Sequence, residues 1–291
     1  MHPLSESRAV AESHVAQTRL VVIPCYNERK RLAADAFLQY AHGHKNVQLL
    51  FVDDGSTDGT ADLLDELAAL SDGRITVLKM ATNCGKAAAV AAGLRRGIRI
   101  GAGVVGYLDA DLATPLQEFQ RLLEIQEQTG VEAVLGSRVG MAGYDIQRSR
   151  VRSLLGRAYA SLASQALDMQ IHDTQCGAKV FSLSPALEQA LETPFATRLA
   201  FDVELLARMR EADPDVRYLE VPLRRWVEVP GSKVSFPDMV QALGDLARLS
   251  RPGTRLSREL RNARRARQRR RPAPKRPSWT QQTPECLPDP R

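Results

Sequence analysis

The chain has 291 residues and 32.1 kDa, room for one large domain or a domain with appendages. Its 44% hydrophobic and 25% charged residues describe a soluble globular protein whose core needs no disulfide or metal staples. The net charge of +6 belongs to one end: residues 251–291 carry 13 Lys/Arg against 3 Asp/Glu, which leaves −4 on everything before them. No uninterrupted apolar run approaches about 18 residues, and no apolar stretch follows Met1, so neither a spanning helix nor a secretory signal is expected. Cys25, Cys84, Cys176 and Cys286 are scattered without a C-x-x-C pair, which speaks against a disulfide framework or zinc site and for reduced thiols in a cytoplasmic protein.

Residues 1–17 read as a flexible leader. The run from Arg19 to Pro24, β-branched and closed by proline, predicts a buried strand, and the spacing of Leu32, Ala36, Phe37 and Tyr40 predicts a helix over 28–40. Val47–Asp53 predicts a second strand. The turn after it, Asp54 to Gly59, holds Ser, Thr and Asp side chains that can cap a helix through Leu64 and Leu67. A strand at 75–78, an Ala-rich helix at 85–100, a strand at 104–109, a helix at 116–126 and a strand at 131–136 continue the alternation. Strand–helix alternation of this kind means βαβ crossovers and a mostly parallel central sheet flanked by helices, an α/β fold. Beyond Arg138 the rhythm loosens: a helix at 149–167, a strand at 177–182, a helix at 201–209, a strand at 216–223 and a final amphipathic helix with Phe236, Met239, Val240, Leu243, Leu246 and Ala247 on one face. The folded domain is thus expected over 18–249, followed by a basic, Pro/Arg-rich disordered tail over 250–291.

In an open α/β sheet, ligands bind beyond the carboxyl ends of the strands. Those ends are polar here: Pro24-Cys-Tyr-Asn-Glu28, Asp53-Asp54-Gly55-Ser56, Asp109-Ala-Asp111 and Gly136-Ser-Arg138. One acidic strand end is as well explained by a helix cap; several on one sheet edge point to a site. Asp109 and Asp111, two apart in an extended segment, would present both carboxylates to one side, the donor set for Mg²⁺ or Mn²⁺ bridging a diphosphate. No glycine-rich dinucleotide or P-loop fingerprint is present, and Cys84-Gly85-Lys86 could bring N–H groups and an ammonium near phosphate, although without the neighbouring motifs it reads as an ordinary helix start. Arg138, Arg148, Arg150 and Arg152 suit an anion or a solvated face. Of the last three, Arg148 and Arg152 share a helix face and are the preferred pair. His172 beside Asp173 is not read as a dyad. Asp173, Gln175 and Lys179 read as loop-ordering groups, and Trp226 as core rather than a stacking platform.

The set V-I-P-C-Y-N-E (22–28), V-D-D-G-S-T-D-G-T (52–60), N-C-G-K (83–86) and D-A-D (109–111) resembles the family 2 glycosyltransferases of GT-A, Rossmann-like fold. D-T-Q-C-G-A-K-V-F (173–181), A-F-D-V-E-L-L (200–206) and V-P-G-S-K (229–233) are similar to the dolichyl- and polyprenyl-phosphate β-glucosyltransferase branch, and the resemblance covers about residues 18–249. It implies that Pro24, Tyr26, Glu28, Asp54, Lys86 and Asp109 bind the nucleotide sugar, with Asp54 at the uracil, and that Asp109 and Asp111 hold the metal. It places Arg138 at the acceptor phosphate, where the spacing argument adds Arg148 and Arg152, and it aligns Asp202 with a catalytic carboxylate, alongside Asp109 and Asp111. Mannosyl-transferring relatives carry Gln where this chain has Ala113, which favours UDP-glucose over GDP-mannose. The implied reaction is inverting transfer of glucose from UDP-glucose to a polyprenyl phosphate. The alternatives are another nucleotide sugar (GDP-mannose or a UDP-N-acetylhexosamine) or a soluble cytosolic acceptor. The Arg264–Arg271 run, with only Trp279 near it to stack on bases, is read as an anionic-membrane contact at the inner face and not as a specific nucleic-acid reader.

Overall fold

The computed structural model describes residues 18–147, 150–167, 170–229, 241 and 244, without the side chains of 150–155 and 165–167. The leader, Arg148, the side chain of Arg152, Lys233, nearly all of the helix expected at 236–247 and the basic tail lie outside the described residues.

The chain runs β1 (Arg19–Cys25), α1 (Ala34–Gly43), β2 (Val47–Asp53), α2 (Thr60–Ala69), β3 (Ile75–Lys79), α3 (Lys86–Arg99), β4 (Val104–Leu108), α4 (Leu116–Thr129) and β5 (Ala133–Ser137). Then come β6 (Asp145–Gln147), α5 (Arg150–Leu167), β7 (Ala178–Ser182), α6 (Pro185–Ala190), α7 (Phe201–Ala212), β8 (Tyr218–Pro222) and β9 (Arg225–Val227). Seven strands form one sheet in the order β3-β2-β1-β4-β7-β5-β8. Every pairing is parallel except those of β7, which lies antiparallel between β4 and β5. The short β6 and β9 pair separately. The mostly parallel α/β sheet is therefore as the alternation predicts.

Both faces of the sheet are buried, and alternate residues of each strand serve opposite faces. Leu20, Val22, Val105 and Tyr107 pack with α3 and α7, while Val21, Ile23, Leu49 and Phe51 pack with α1, α2 and α4. Helix α3 approaches unusually closely. A Cβ at Gly93 would stand 2.2 Å from a Val22 methyl, and one at Gly97 would stand 2.4 Å from a Val105 methyl. The glycines let α3 lie against β1 and β4, and this fixes the height of Lys86 at its first turn.

The structure corrects one local expectation and sharpens two. Residues 28–33 are not helical, because the Glu28 N–H donates to Thr60 Oγ1 at 2.8 Å and the chain turns there before α1 begins at Ala34. Helix α2 starts after Gly59 at φ 82°, and of the Ser, Thr and Asp side chains expected to cap it, Asp58 takes the Thr60 N–H at 3.0 Å. Lys179, read as a loop-ordering group, lies within the expected strand β7, fully buried on the α7 side with Phe181, and reaches the preceding loop through the Cys176 carbonyl at 2.6 Å. The short β6, β9 and α6 were not expected from the pattern. Among the described residues no helix is long and apolar enough to cross a membrane.

Gly93→Ala is expected to lower the unfolding free energy by roughly 1–3 kcal/mol through overpacking, although Ala is the better helix former by about 1 kcal/mol. Adding Val22→Ala should restore part of the loss. Chemical denaturation of the two single variants and the double variant measures the coupling.

Candidate functional site

The carboxyl ends of β1, β2 and β4 open on one edge of the sheet, and the antiparallel β7 begins at that same edge. A cleft of about 440 Å³ lies there. Pro24, Tyr26 and Glu28 line it from the end of β1, and Asp54 from the end of β2. Gly85 and Lys86 line it from the start of α3, and Asp109 and Asp111 from the end of β4. The nucleotide-sugar and metal residues read from the sequence thus share one cleft.

The first two strand ends hold each other. Asn27 N–H donates to Ser56 Oγ at 2.9 Å, Thr57 N–H to Asn27 Oδ1 at 2.8 Å, and Asp54 N–H to the Cys25 carbonyl at 2.8 Å. Asp54 is buried, and its two carboxylate oxygens accept the N–H groups of Cys84 and Gly85, each at 2.7 Å. It therefore ties the 83–86 loop to β2, and a nucleobase would meet only its remaining lone pairs. Glu28 is likewise engaged, accepting from Arg31 Nε at 2.9 Å.

Asp109-Ala-Asp111 is a turn rather than an extended segment, with Leu112 in the left-handed region at φ 53°. The turn still brings the carboxylates together. Asp109 N–H donates to the Gly177 carbonyl at 2.9 Å, and Asp111 Oδ1 accepts the Ala113 N–H at 3.1 Å. Burial and then the Asp109 charge raise the Asp111 pKa. Lys86 Nζ stands 2.5 Å from Asp109 Oδ1. Burial alone would lower the pKa of that ammonium, but Asp109, Asp202 and Asp111 outweigh it and hold it raised. Among the described residues no group of three or more His, Cys, Asp or Glu is placed to hold a metal ion. Two converging carboxylates fit a hard cation that keeps waters and takes its other ligands from a phosphate.

Asp202, in the first turn of α7, is buried and does not line the cleft. It accepts a hydrogen bond from Tyr107 Oη, and Lys179 Nζ stands 3.1 Å from the same oxygen. Burial pushes the Asp202 carboxyl up to about 7, against the opposing charge of Lys86, and pushes the Lys179 ammonium down to about 8.

Arg138 does not project freely toward an acceptor. Its Nε and one terminal nitrogen meet Asp173 at 2.6 and 2.8 Å, its backbone N–H meets the same carboxylate at 3.0 Å, and its guanidinium lies 5.4 Å from the Trp226 ring centre. His172 Nδ1 lies 2.9 Å from Glu220, which also accepts the Asp173 N–H at 2.7 Å. Trp226 is buried, in keeping with its core reading. Arg31, Asn83, Arg198 and Leu199 line the cleft without having been singled out from the sequence. Their positions follow from turns and loops, which carry no periodic signal.

The family description "Glycosyl transferase family 2" matches residues 20–187. The chain is similar to the dolichyl-phosphate beta-glucosyltransferase of Dictyostelium discoideum, 31% identical over 79% of this chain and 72% of that one. It is also similar to the polyprenol monophosphomannose synthase of Mycolicibacterium smegmatis, 34% identical over 57% of this chain and 62% of the other. Among solved structures, glucosyl-3-phosphoglycerate synthase from Mycobacterium tuberculosis, crystallised with Mn²⁺, UDP-glucose and phosphoglyceric acid, superposes with a TM-score of 0.58 at 21% identity, covering 82% of each chain. That likeness shows the GT-A fold.

A carboxyl whose pKa is raised on folding contributes stability below its unfolded pKa and loses it as pH rises. Asp111→Asn is therefore expected to melt at a higher temperature than the wild type in chelator at neutral pH, with the gain shrinking as pH falls through the carboxylate range. Mn²⁺ should raise the wild-type midpoint and leave the variant near its chelator value. A variant that melts below the wild type in chelator would mean that protein groups already satisfy the Asp111 charge.

Proposed function

The chain belongs to glycosyltransferase family 2, and from that premise we propose that it moves glucose from UDP-glucose onto a polyprenyl phosphate with inversion at the anomeric carbon. The observation that carries the reading is the convergence of Asp109, Asp111 and Lys86 in one cleft at the carboxyl edge of the sheet. The names of the dolichyl- and polyprenol-phosphate relatives support a lipid-phosphate acceptor, and the glucosyltransferase relatives support glucose. The nucleotide and metal in the M. tuberculosis structure support UDP and a divalent cation, Mg²⁺ or Mn²⁺.

In this reading Pro24, Tyr26, Glu28 and Asp54 receive the nucleoside, Asp54 mainly by fixing the 83–86 loop beneath it. Asp109 and Asp111 hold the divalent cation, which when bound would offset negative charge on the departing diphosphate. Lys86 adds a fixed ammonium on the same side. A phosphate acceptor arrives ionised, so no side chain must remove a proton from it, and Asp202 serves as a buried group that positions Tyr107 and Lys179 under the cleft. The acceptor phosphate is drawn by the arginines: Arg138, to the extent that Asp173 leaves donors free, and Arg148 and Arg152. The name of the M. smegmatis relative favours mannose as a second reading of the sugar, carried as GDP-mannose in the alternative considered above, and Ala113 weighs against it.

Purified protein with Mg²⁺ or Mn²⁺, offered UDP-glucose, GDP-mannose and UDP-N-acetylglucosamine with a short polyprenyl phosphate or a soluble phosphate acceptor, should form polyprenyl-phosphate glucose by mass spectrometry. Asp111→Asn should reduce transfer by about a hundredfold or more. Asp202→Asn should slow it without changing the shape of the pH profile across neutrality. A wild-type rate that rises through about pH 7 and is abolished in Asp202→Asn would instead make Asp202 a base and the acceptor a hydroxyl.

The net charge of +10 within residues 251–291 supports contact with an anionic membrane surface at the cytoplasmic face, at roughly 1 kcal/mol per basic residue near the surface. Deleting 251–291 should leave UDP binding intact and sharply reduce sedimentation with anionic vesicles, and wild-type binding should weaken as salt rises. Equal vesicle binding by the truncated chain would remove the tail from this role.

A further inference from the structure

Among the described residues, three cations line the cleft: Arg31, Lys86 and Arg198. Arg31 is paired with Glu28 at 2.9 Å, and Lys86 stands against Asp109 at 2.5 Å. Arg198 is exposed and, among the described residues, makes no hydrogen bond or ion pair. Its guanidinium hangs over the start of α3: a Cβ placed on Gly85 would meet Arg198 Nε at 3.6 Å.

The backbone that carries Arg198 is held from both sides. The N–H groups of Ala196 and Thr197 donate to the Glu204 carboxylate, each at 2.9 Å, and Thr197 Oγ1 adds a third bond at 2.8 Å. Glu204 is buried and paired with Arg208 at 2.6 Å, and Arg208 in turn donates to the carbonyls of Ala190, Thr193 and Pro194. On the other side, Gln175 Nε2 reaches the Leu199 carbonyl at 3.4 Å. A loop fastened at 193–197 and again at 199 thus presents the Arg198 guanidinium to the cleft beside Leu199. Such a fixed mount lowers the entropy lost when the guanidinium binds.

The cleft otherwise presents Glu28, Asp54, Asp109 and Asp111, whose charges Arg31, Lys86 and two backbone amides already answer. Among the described residues, an incoming polyanion therefore finds one uncommitted cation. A guanidinium can pair two phosphate oxygens at once, and its neighbour here is the positive end of a 14-residue helix. We infer that Arg198 is a phosphate-binding residue of this site, taking oxyanions of either the donor diphosphate or the acceptor phosphate beside the first turn of α3. The inference rests on the glycosyl-transfer reading above.

The test uses the full-length protein, Arg198→Gln and Arg198→Lys, with thermal midpoints to show that both variants fold. Calorimetry with UDP and, separately, GDP in Mn²⁺ reads the donor side without turnover; steady-state transfer reads kcat and both KM values. Arg198→Gln should lose roughly tenfold or more in kcat/KM, and Arg198→Lys should retain a larger share. Weakened nucleoside-diphosphate binding assigns the residue to the donor diphosphate. Unchanged nucleotide binding with a raised acceptor KM assigns it to the acceptor phosphate. Binding constants and kcat/KM within twofold of the wild type would overturn the inference. A wild-type chain that binds neither UDP nor GDP would instead overturn the glycosyl-transfer reading.

Discussion

The carboxylate of Asp109 occupies the space that a side chain at position 177 would need. A Cβ on Gly177 would fall 2.0 Å from Asp109 Oδ2, and the Gly177 carbonyl accepts the Asp109 N–H at 2.9 Å. This contact exists because β7 runs against the direction of its neighbours and so begins where β4 ends. A parallel strand in that place would bring its carboxyl end to the edge, and the 173–177 segment would lie at the far side of the sheet. The antiparallel insertion thus sets the turn that aims Asp109 and Asp111 into the cleft. It also joins the parallel half that carries the first motifs to the half that carries Arg138 and Asp173.

The same strand drives a charge under the site. Lys179 is fully buried two residues after Gly177, 3.1 Å from Asp202 and 5.4 Å from the centre of the Tyr107 ring. Its Nζ also donates to the Cys176 carbonyl at 2.6 Å. A buried ion pair rarely stabilises a fold more than packed apolar side chains would, because both charges must leave water. What this pair does is geometric. It links β4 through Tyr107, β7 through Lys179 and α7 through Asp202 at one point, directly behind the strand end that carries Asp109. The first turn of α7, and with it the loop that presents Arg198, is held in register with the carboxylates.

The parallel half was legible in the sequence because its signals are local. Apolar runs such as Leu20–Ile23 and Leu49–Val52 can only be strands buried on both faces, and each ends in residues that suit a ligand better than a core. The D-A-D pair was read correctly as convergent but for a mistaken reason, since its backbone turns where an extended segment was expected. What stayed hidden depends on distant partners. The start of α1 is decided by Thr60, 32 residues from Glu28. Lys179 reads as polar in a strand-like string, and only the positions of Asp202 and Tyr107 show why a lysine is tolerated there. Arg198 sits in a loop whose shape is set by Glu204 and Arg208 on the following helix, so no pattern around it marks it as part of a cleft.

The arginines of the two halves differ in what they can still offer. Arg138 is partly buried against Asp173 with two side-chain contacts, while Asp173 is also held by the backbone of Arg138 and lies beside Glu220-anchored His172. Pulling its guanidinium onto a substrate would take the countercharge from a buried carboxylate and leave it backbone N–H donors, at a cost of up to several kcal/mol. Arg138 is therefore better suited to organise the 172–176 segment, which ends at Gly177, than to carry the substrate's charge by itself. Arg198 faces no such cost: it is exposed, and its loop is already ordered. The site thus divides its cations by prior commitment. Those bound to carboxylates keep the architecture around Asp109 in place, and the one left without a partner in the cleft is available to a phosphate.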